Sequence, residues 1–171
     1  MNIAKIAQRL YFDLRGARPP RNSTIEAFRT FLTPTVGQAP APKALNSVVD
    51  SKVATGAATA LTTATAKTVT SIVLTPGVWN VVAHVNHNGA GATRTAASAA
   101  ISETTNTLTT DGSEAAFGTP TTTATFVDGT SLQAKRIVVA SGSKTVYLVT
   151  SATFSAGTVA AWGQITAERV A

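Results

Sequence analysis

The two histidines of the chain, His84 and His87, come closest in residue type and spacing to a metal site. Imidazoles bind transition metals, and two of them close in sequence supply half of a tetrahedral ligand set. In a β-strand, however, residues three apart point to opposite faces, so a shared ion requires a bulge or turn at Asn86. The chain also has no cysteine to complete such a site. We therefore predict no metal and no cofactor, and interpret both residues as ordinary strand-end histidines.

Other catalytic combinations are equally poorly represented. Serine and threonine are abundant, but no nucleophile elbow or Ser-His-Asp grouping is recognisable. Paired carboxylates could come from Asp111, Glu114 and Asp128, yet these lie in polar, turn-like segments where we expect solvated acids. Gly89 and Gly91 do not follow a strand and open a helix, as a phosphate-binding loop must. We predict that the protein is not an enzyme.

The net positive charge of the chain is concentrated in its first 46 residues. These hold seven Lys or Arg against two acids, whereas the remaining residues hold seven against six. Arg15, Arg18 and Arg21 are close enough together to neutralise phosphates. The same segment also carries aromatic residues, such as Tyr11 and Phe28, which suit burial in a protein groove better. We therefore favour docking on a protein, and keep DNA binding as the weaker alternative.

Two short amphipathic helices are predicted in this basic segment. Apolar residues from Ile3 to Leu14 recur at helical spacing, and Gly16 with two following prolines ends the first helix. Ser23 and Glu26 form a capping box that begins the second helix. Isolated helices of this length are marginal in water, so they need a surface to pack against. The residues predicted to dock this arm, through apolar burial or contact with an acidic surface, are Ile3, Ile6, Leu10, Leu14, Arg15, Arg18, Arg21, Phe28 and Leu32.

A Pro-rich spacer over residues 37–43 separates the arm from the rest of the chain. We predict a helical, basic anchoring arm in residues 1–46 and a β domain in residues 47–171. In the second part, turn residues separate runs of strand length, and they include Pro76-Gly77, predicted to form a type II turn, and Asp128-Gly129. Abundant β-branched threonine also favours strands. Seven or eight short strands without intervening helices predict a mainly β, antiparallel, jelly-roll-like sandwich.

Two of the predicted strands, over residues 78–85 and 146–154, carry apolar residues on both faces. An antiparallel sheet that faces water on one side normally alternates apolar and polar residues. The second face should therefore be covered, either by another part of the same domain or by an identical subunit. The residues expected to share one face are Trp79, Val81, Ala83 and Val85 in the first strand and Val146, Leu148, Ala152 and Phe154 in the second.

Two stretches carry a resemblance to a known family: SIVLTPGVWNVVAHV at residues 71–85 and SLQAKRIVVASGSKTVYLVTSATFSAGTVAAWGQITAERV at residues 131–170. They resemble the jelly-roll proteins of tailed-bacteriophage particles, which serve as head fibres, collar or tail fibres and decoration subunits. The resemblance covers residues 55–171 and departs from the family at Val78, where such proteins often have an acidic residue. The residues that carry it are Leu74, Gly77, Trp79, Tyr147, Phe154, Trp162 and Arg169.

The resemblance implies a noncatalytic virion protein, assembled in the host cytoplasm, whose β domain forms a homotrimer with apolar sheet surfaces near the threefold axis. It says nothing about residues 1–46, which we expect to attach the protein to a capsid, collar or tail protein of the same virion. A DNA-contacting virion protein is the weaker alternative.

Another alternative is a module of a phage fibre that binds a host receptor or surface glycan. Loops such as Asn86 to Thr93 or Thr105 to Thr121 could provide the contacts, with Trp79 and Trp162 as sugar platforms. The positions of both tryptophans within predicted strands favour core packing instead.

No partnership with a membrane is predicted. No segment offers the ~20 predominantly apolar, turn-free residues that a bilayer span requires. Charged residues interrupt the apolar positions of the first 18 residues, so we expect no export signal there.

Overall fold

The structure is a computed structural model that describes residues 44–117 and 125–171. These residues form antiparallel β-sheets, which confirms the mainly β class. The predicted two-helix arm lies outside the described residues. The described strands are β1 (Val48–Val53), β2 (Thr59–Ala60), β3 (Lys67–Leu74), β4 (Gly77–Ala90), β5 (Thr93–Ser102), β6 (Ala115–Ala116), β7 (Thr125–Val139), β8 (Lys144–Ser155) and β9 (Thr158–Arg169).

The strands form two antiparallel sheets, each with four main strands. Sheet A runs β1-β9-β4-β7, with the short β2 also paired to β9, and sheet B runs β3-β8-β5-β6. The pairs are nested along the chain, because β1 pairs with β9, β3 with β8, β4 with β7 and β5 with β6. The last strand therefore lies between β1 and β4 in sheet A.

The hydrophobic core lies between the two sheets. Trp79, Val81 and Val85 of β4 are fully buried, and the Trp79 indole N–H donates a hydrogen bond to the Thr75 carbonyl oxygen at 2.8 Å. Burying one such aliphatic side chain stabilises the fold by ~1.5–3 kcal/mol. The prediction that these residues share one face of β4 and one face of β8 is confirmed, and both faces point into the core. The buried residues are Trp79, Val81, Ala83, Val85, Val146, Leu148 and Ala152, with Phe154 partly buried against them.

Two of the predicted turns have a different structure. Asp128-Gly129 lies inside β7, where it pairs with Asn86 and His87 of β4. A β-carbon at Gly129 would displace the end of the Asn86 side chain. Pro76-Gly77 leads from sheet B to sheet A, and Gly77 has a φ of 146°, far from the φ of about 80° of a type II turn.

The outer face of sheet B is covered by the chain itself. Val149 of β8 and Ala100 of β5 pair with each other and are fully buried, although they lie outside the core between the sheets. Beyond β5, the Asn106 N–H donates to Thr68 Oγ1 of β3 at 2.9 Å, and the Thr68 N–H donates to Asn106 Oδ1 at 2.8 Å. Because β8 lies between β5 and β3, residues 103–106 cross over the outer face of β8. We call residues 103–106 the crossing segment.

Candidate functional site

An ion pair between a buried arginine and a partly exposed aspartate, which is 32% exposed, joins β5 to β7. Arg94 is only 1% exposed, and its guanidinium donates to both carboxylate oxygens of Asp128, with 2.7 Å between Nη1 and Oδ1. The rings of Phe117 and Phe126 have their centroids 5.2 and 4.9 Å from Arg94 Cζ. A two-pronged pair of this kind satisfies the buried charge, and the aromatic faces add cation–π attraction. The pair links β5 of sheet B to β7 of sheet A.

His87 extends this cluster towards β8. Its ring stacks on Phe117 with the centroids 4.1 Å apart. Thr150 Oγ1 donates to the Ser98 carbonyl oxygen at 2.8 Å, so it accepts the His87 Nε2–H at 2.9 Å. Burial, and then the nearby Arg94 charge, lower the pKa of His87 to about 4. His87 is therefore a neutral, fully buried packing residue.

The two histidines lie on opposite faces of β4, as the strand period predicted. His84 is exposed on the outer face of sheet A, where its Nδ1 lies 3.2 Å from Ser131 Oγ and its Nε2 lies 3.1 Å from Asn86 Oδ1. The interpretation of both as ordinary strand-end histidines is wrong for His87, because that side chain belongs to the buried cluster. Across residues 44–117 and 125–171, no three His, Cys, Asp or Glu side chains converge.

Two of the three acids expected to be solvated are instead held by cations. Asp128 pairs with Arg94, and Asp111 accepts a hydrogen bond from Lys135 Nζ at 2.5 Å. Hydrogen bonds from Lys135 and Ser113 hold the pKa of the Asp111 carboxyl well below its usual range. Glu114 is exposed. Asp111 therefore fastens its loop to β7 through Lys135, whereas Asp128 links two strands.

The two tryptophans have opposite environments. Trp79 is fully buried, so core packing is correct for it, but Trp162 is only partly buried and lies on the outer face of sheet A. Trp162 pairs across the sheet with Asn86, and Gln164, its neighbour on the same face, pairs with His84. The prediction of core packing is therefore wrong for Trp162. In β9 the odd-numbered positions from Val159 to Ala167 are all small or apolar, and this alternation was the signal that could have placed Trp162 on the other face.

The predicted glycan-binding loops are largely not loops in the structure. Residues 86–90 belong to β4, and only Gly91 and Ala92 connect it to β5, so the loop from Asn86 to Thr93 is wrong. In the other candidate, Thr105 to Thr121, residues 105–117 are described and contain β6, while the rest lies outside the described residues.

A second candidate surface lies at the other end of the outer face of sheet A. Val170 pairs with Val78 through a hydrogen bond from its N–H to the Val78 carbonyl oxygen at 2.8 Å, and Val78 pairs with Val138. These three side chains form one row across the sheet, with Val138 59% exposed and Val170 48% exposed. Val48 is exposed in the next row, where it pairs with Glu168, and Val82 is exposed in the row after that, where it pairs with Thr166. We call these five residues the valine patch.

The predicted docking residues of the arm, from Ile3 to Leu32, all lie outside the described residues. Within the ranges that the structure describes, no helix has the length and apolar character needed to cross a membrane.

Comparisons with known proteins identify no relative. No family model, no curated protein and no solved structure shows a significant match to the chain. The geometry of its own residues therefore carries the functional argument.

Proposed function

We propose that the chain is a noncatalytic structural protein of a tailed-phage virion. In this proposal it is a fibre, spike or decoration subunit whose β domain is a homotrimeric jelly roll. Residues 1–46 tether it to a capsid, collar or tail protein.

The observation that supports the proposal most is the nested strand pairing. A jelly roll has eight main strands in two four-stranded sheets and is built from Greek-key connections. Leaving aside β2, residues 44–117 and 125–171 contain eight strands, of which β6 is also only two residues long. The first pairs with the last, the second with the second to last, and so on inwards. A jelly roll can be described as one long antiparallel hairpin that is folded into two sheets. The sheet orders β1-β9-β4-β7 and β3-β8-β5-β6 fit this description.

The environment of the polar residues in the core supports a noncatalytic role. Arg94 and His87 have the residue types of an active site, but they are 1% and 0% exposed and interact with Asp128 and Thr150. A catalytic acid or base must come within hydrogen-bonding reach of its substrate. Buried within the sandwich, these groups stabilise the fold instead.

The assembly state is tested by native mass spectrometry of the full chain. The expected mass is three times the 17.5 kDa of one chain. Mass spectrometry of purified particles should then detect the protein in stoichiometric amounts. A full-length chain that remains monomeric, or particles that lack it, would contradict the proposal.

The tether is tested by substitutions in the arm of the full-length chain. Replacing Leu10 and Phe28 by Asp should abolish incorporation into particles, because both are predicted to be buried in the partner. Gln8→Asp, on the predicted polar side of the first helix, is the control and should incorporate normally. Replacing Arg15, Arg18 and Arg21 by Gln tests the DNA alternative, since that reading predicts a loss of salt-dependent DNA binding.

One observation favours a second candidate function, the binding of a host glycan. Trp162 presents part of its indole on an outer sheet face and has polar neighbours in His84, Asn86 and Gln164. An aromatic face beside a few oriented polar groups is a common arrangement in ligand sites. The His84 ring is already oriented by its contacts with Ser131 and Asn86.

The glycan candidate is tested on a glycan array with the full-length chain. Trp162→Ala should lose at least ~10-fold in affinity for any glycan that the unmodified chain binds. Tyr147→Ala is the matched control, because Tyr147 is a partly buried aromatic residue on the outer face of sheet B. Equal losses in both variants, or no glycan bound by the unmodified chain, would reject this candidate.

A further inference from the structure

We infer that the valine patch is the contact through which copies of this chain meet around a threefold axis. The inference rests on the proposed homotrimer and goes further by naming the face of the sandwich and the residues that form the interface. The occupant of the patch is a second copy of the same chain.

The patch combines apolar surface with a rigid support. Val78 lies between Val138 and Val170 on three hydrogen-bonded strands, so its side chain is about 5 Å from each of theirs. Val82 is 42% exposed and Val48 is 56% exposed, and they extend the patch along β4 and β1. Exposed apolar residues that are contiguous mark interaction surfaces, whereas isolated ones do not.

The charged residues beside the valine patch are complementary to those of a second copy of the chain. Glu168, Asn80 and Arg136 form the row next to the three valines, with the acid on β9, the amide on β4 and the base on β7. Glu168 and Arg136 are both exposed. They lie two strands apart, or about 10 Å, on opposite sides of the row. The outer face of sheet A thus has an acidic half, with Glu168, Val170 and Val48, and a basic half, with Arg136 and Val138.

A threefold arrangement brings unlike halves together. When three copies direct this face towards an axis that runs along β4, the β7 half of one copy meets the β9 and β1 half of the next. Val138 then packs against Val170 and Val48 of the neighbour, and Arg136 faces the neighbour's acid, Glu168. Such a heterologous contact closes after three copies. Complementary charges of this kind select the partner and its orientation.

The other exposed valines provide a contrast within the same chain. Val73 is 54% exposed on the outer side of β3, and Val127 is 68% exposed at the far end of β7. Val127 pairs with Asn88, and Val73 with Thr145, so each has a polar neighbour across the sheet. These two residues are matched controls, because residue type and exposure are similar and only the location differs.

The main test compares Val138→Asp with Val73→Asp and Val127→Asp in the full-length chain by analytical ultracentrifugation. A carboxylate within an apolar contact should raise the concentration needed for half assembly by ~100-fold or more. The two controls should assemble like the unmodified chain. Circular dichroism should show the same β spectrum for all four proteins, because each substitution is made at an exposed position.

The outcomes separate this inference from the proposal on which it rests. An unmodified chain that is monomeric or dimeric overturns the homotrimer and the threefold interface together. An unmodified trimer that Val138→Asp leaves intact overturns the interface alone. A trimer that all three aspartates disrupt equally also overturns the interface, because the effect would not depend on the location.

A charge exchange gives a second, independent measurement. Arg136→Glu and Glu168→Arg should each weaken the trimer by about 10-fold, because each places like charges opposite each other. The double variant should recover most of the loss, since the complementary pair is restored with the opposite polarity. Losses that simply add in the double variant would contradict contact between the two residues across the interface.

Discussion

The two sheets differ in how their outer faces are covered. On sheet B, Val149 and Ala100 are fully buried, and the crossing segment passes over the outer face of β8 and is held by Thr68. On sheet A, Val82 and Val138 remain 42% and 59% exposed. Both faces carry apolar residues in the sequence, yet among residues 44–117 and 125–171 only the face of sheet B is covered by other parts of the chain. Apolar residues on the outer face of a sheet are thus buried in sheet B and partly exposed in sheet A of the same domain.

This difference shows what the apolar pattern of a strand can and cannot indicate. Apolar residues on both sides of β4 and β8 correctly indicate that neither strand has a purely polar outer side. They do not indicate what covers the second side, because a loop of the same chain and a neighbouring subunit remove the same apolar area from water. The predictions below test this distinction, beginning with the largest effect.

The strongest test introduces a charge on each face. Val149→Asp should lower the free energy of unfolding by ~4 kcal/mol or more, because the carboxylate would be buried under the crossing segment without a partner. Val127→Asp, on the exposed face of sheet A, should change it by no more than ~0.5 kcal/mol. Urea-induced unfolding at one fixed protein concentration measures both. Similar losses for the two variants would mean that the faces do not differ.

A fall in pH should lower the free energy of unfolding, because His87 is buried between the two sheets. The pKa of His87 is about 4 in the folded protein and 6.5 ordinarily, so between these values the unfolded chain binds a proton that the folded chain does not. The free energy of unfolding is therefore highest above pH 6.5. It decreases by up to ~3 kcal/mol as the pH falls towards 4. Thermal unfolding from pH 7.5 to 4 measures it. His87→Gln should flatten this dependence, and His84→Gln should leave it unchanged; a slope unaffected by either change would contradict the assignment.

The attachment of the crossing segment can be loosened without altering either sheet. Thr68→Val removes the hydroxyl that accepts the Asn106 N–H, and the loss of this hydrogen bond should cost ~1–2 kcal/mol. Amide hydrogen exchange should accelerate at residues 103–106. Thr125→Val, at an exposed position of β7 in sheet A, is the control and should change neither quantity. Unchanged exchange in Thr68→Val would show that other contacts hold the segment.

The smallest effect is expected from the ion pair at the start of the crossing segment. Lys144 Nζ lies 2.6 Å from Glu103 Oε2, but both side chains are over one third exposed. Lys144→Gln should therefore cost ~0.5 kcal/mol or less, and the difference should vanish in 1 M salt. Lys52→Gln on β1 is the control. A larger, salt-independent loss would show that this pair is part of the cover itself.

The fold of the β domain follows from local patterns over much of its length. In β4 and β8, alternation identified the inward residues correctly, because the side chains of a strand point alternately to its two faces. The same argument placed the two histidines on opposite sides. Trp162 was misplaced because large aromatic residues are usually buried, and the alternation of β9 was not used against that tendency.

The buried cluster could not be predicted in this way, because its partners meet only in the folded chain. Arg94 and Asp128 are 34 residues apart and lie on strands of different sheets. Asp128-Gly129 has the composition of a hairpin turn, but long-range pairing places it within a strand. Gly89 likewise has no local signal for its role, which is to leave room for the Phe126 ring on the neighbouring strand.

The nested pairing also constrains how the protein is made. Because β1 pairs with β9, a ribosome must synthesise residues 54–157 and then β9 before β1 acquires its neighbour. Until then, the strands emerging first have unpaired edges and are prone to aggregate with other nascent chains. Contacts so distant along the chain are also associated with slow folding. Production of this protein should accordingly improve at lower temperature, when synthesis is slower and fewer unfinished chains accumulate together.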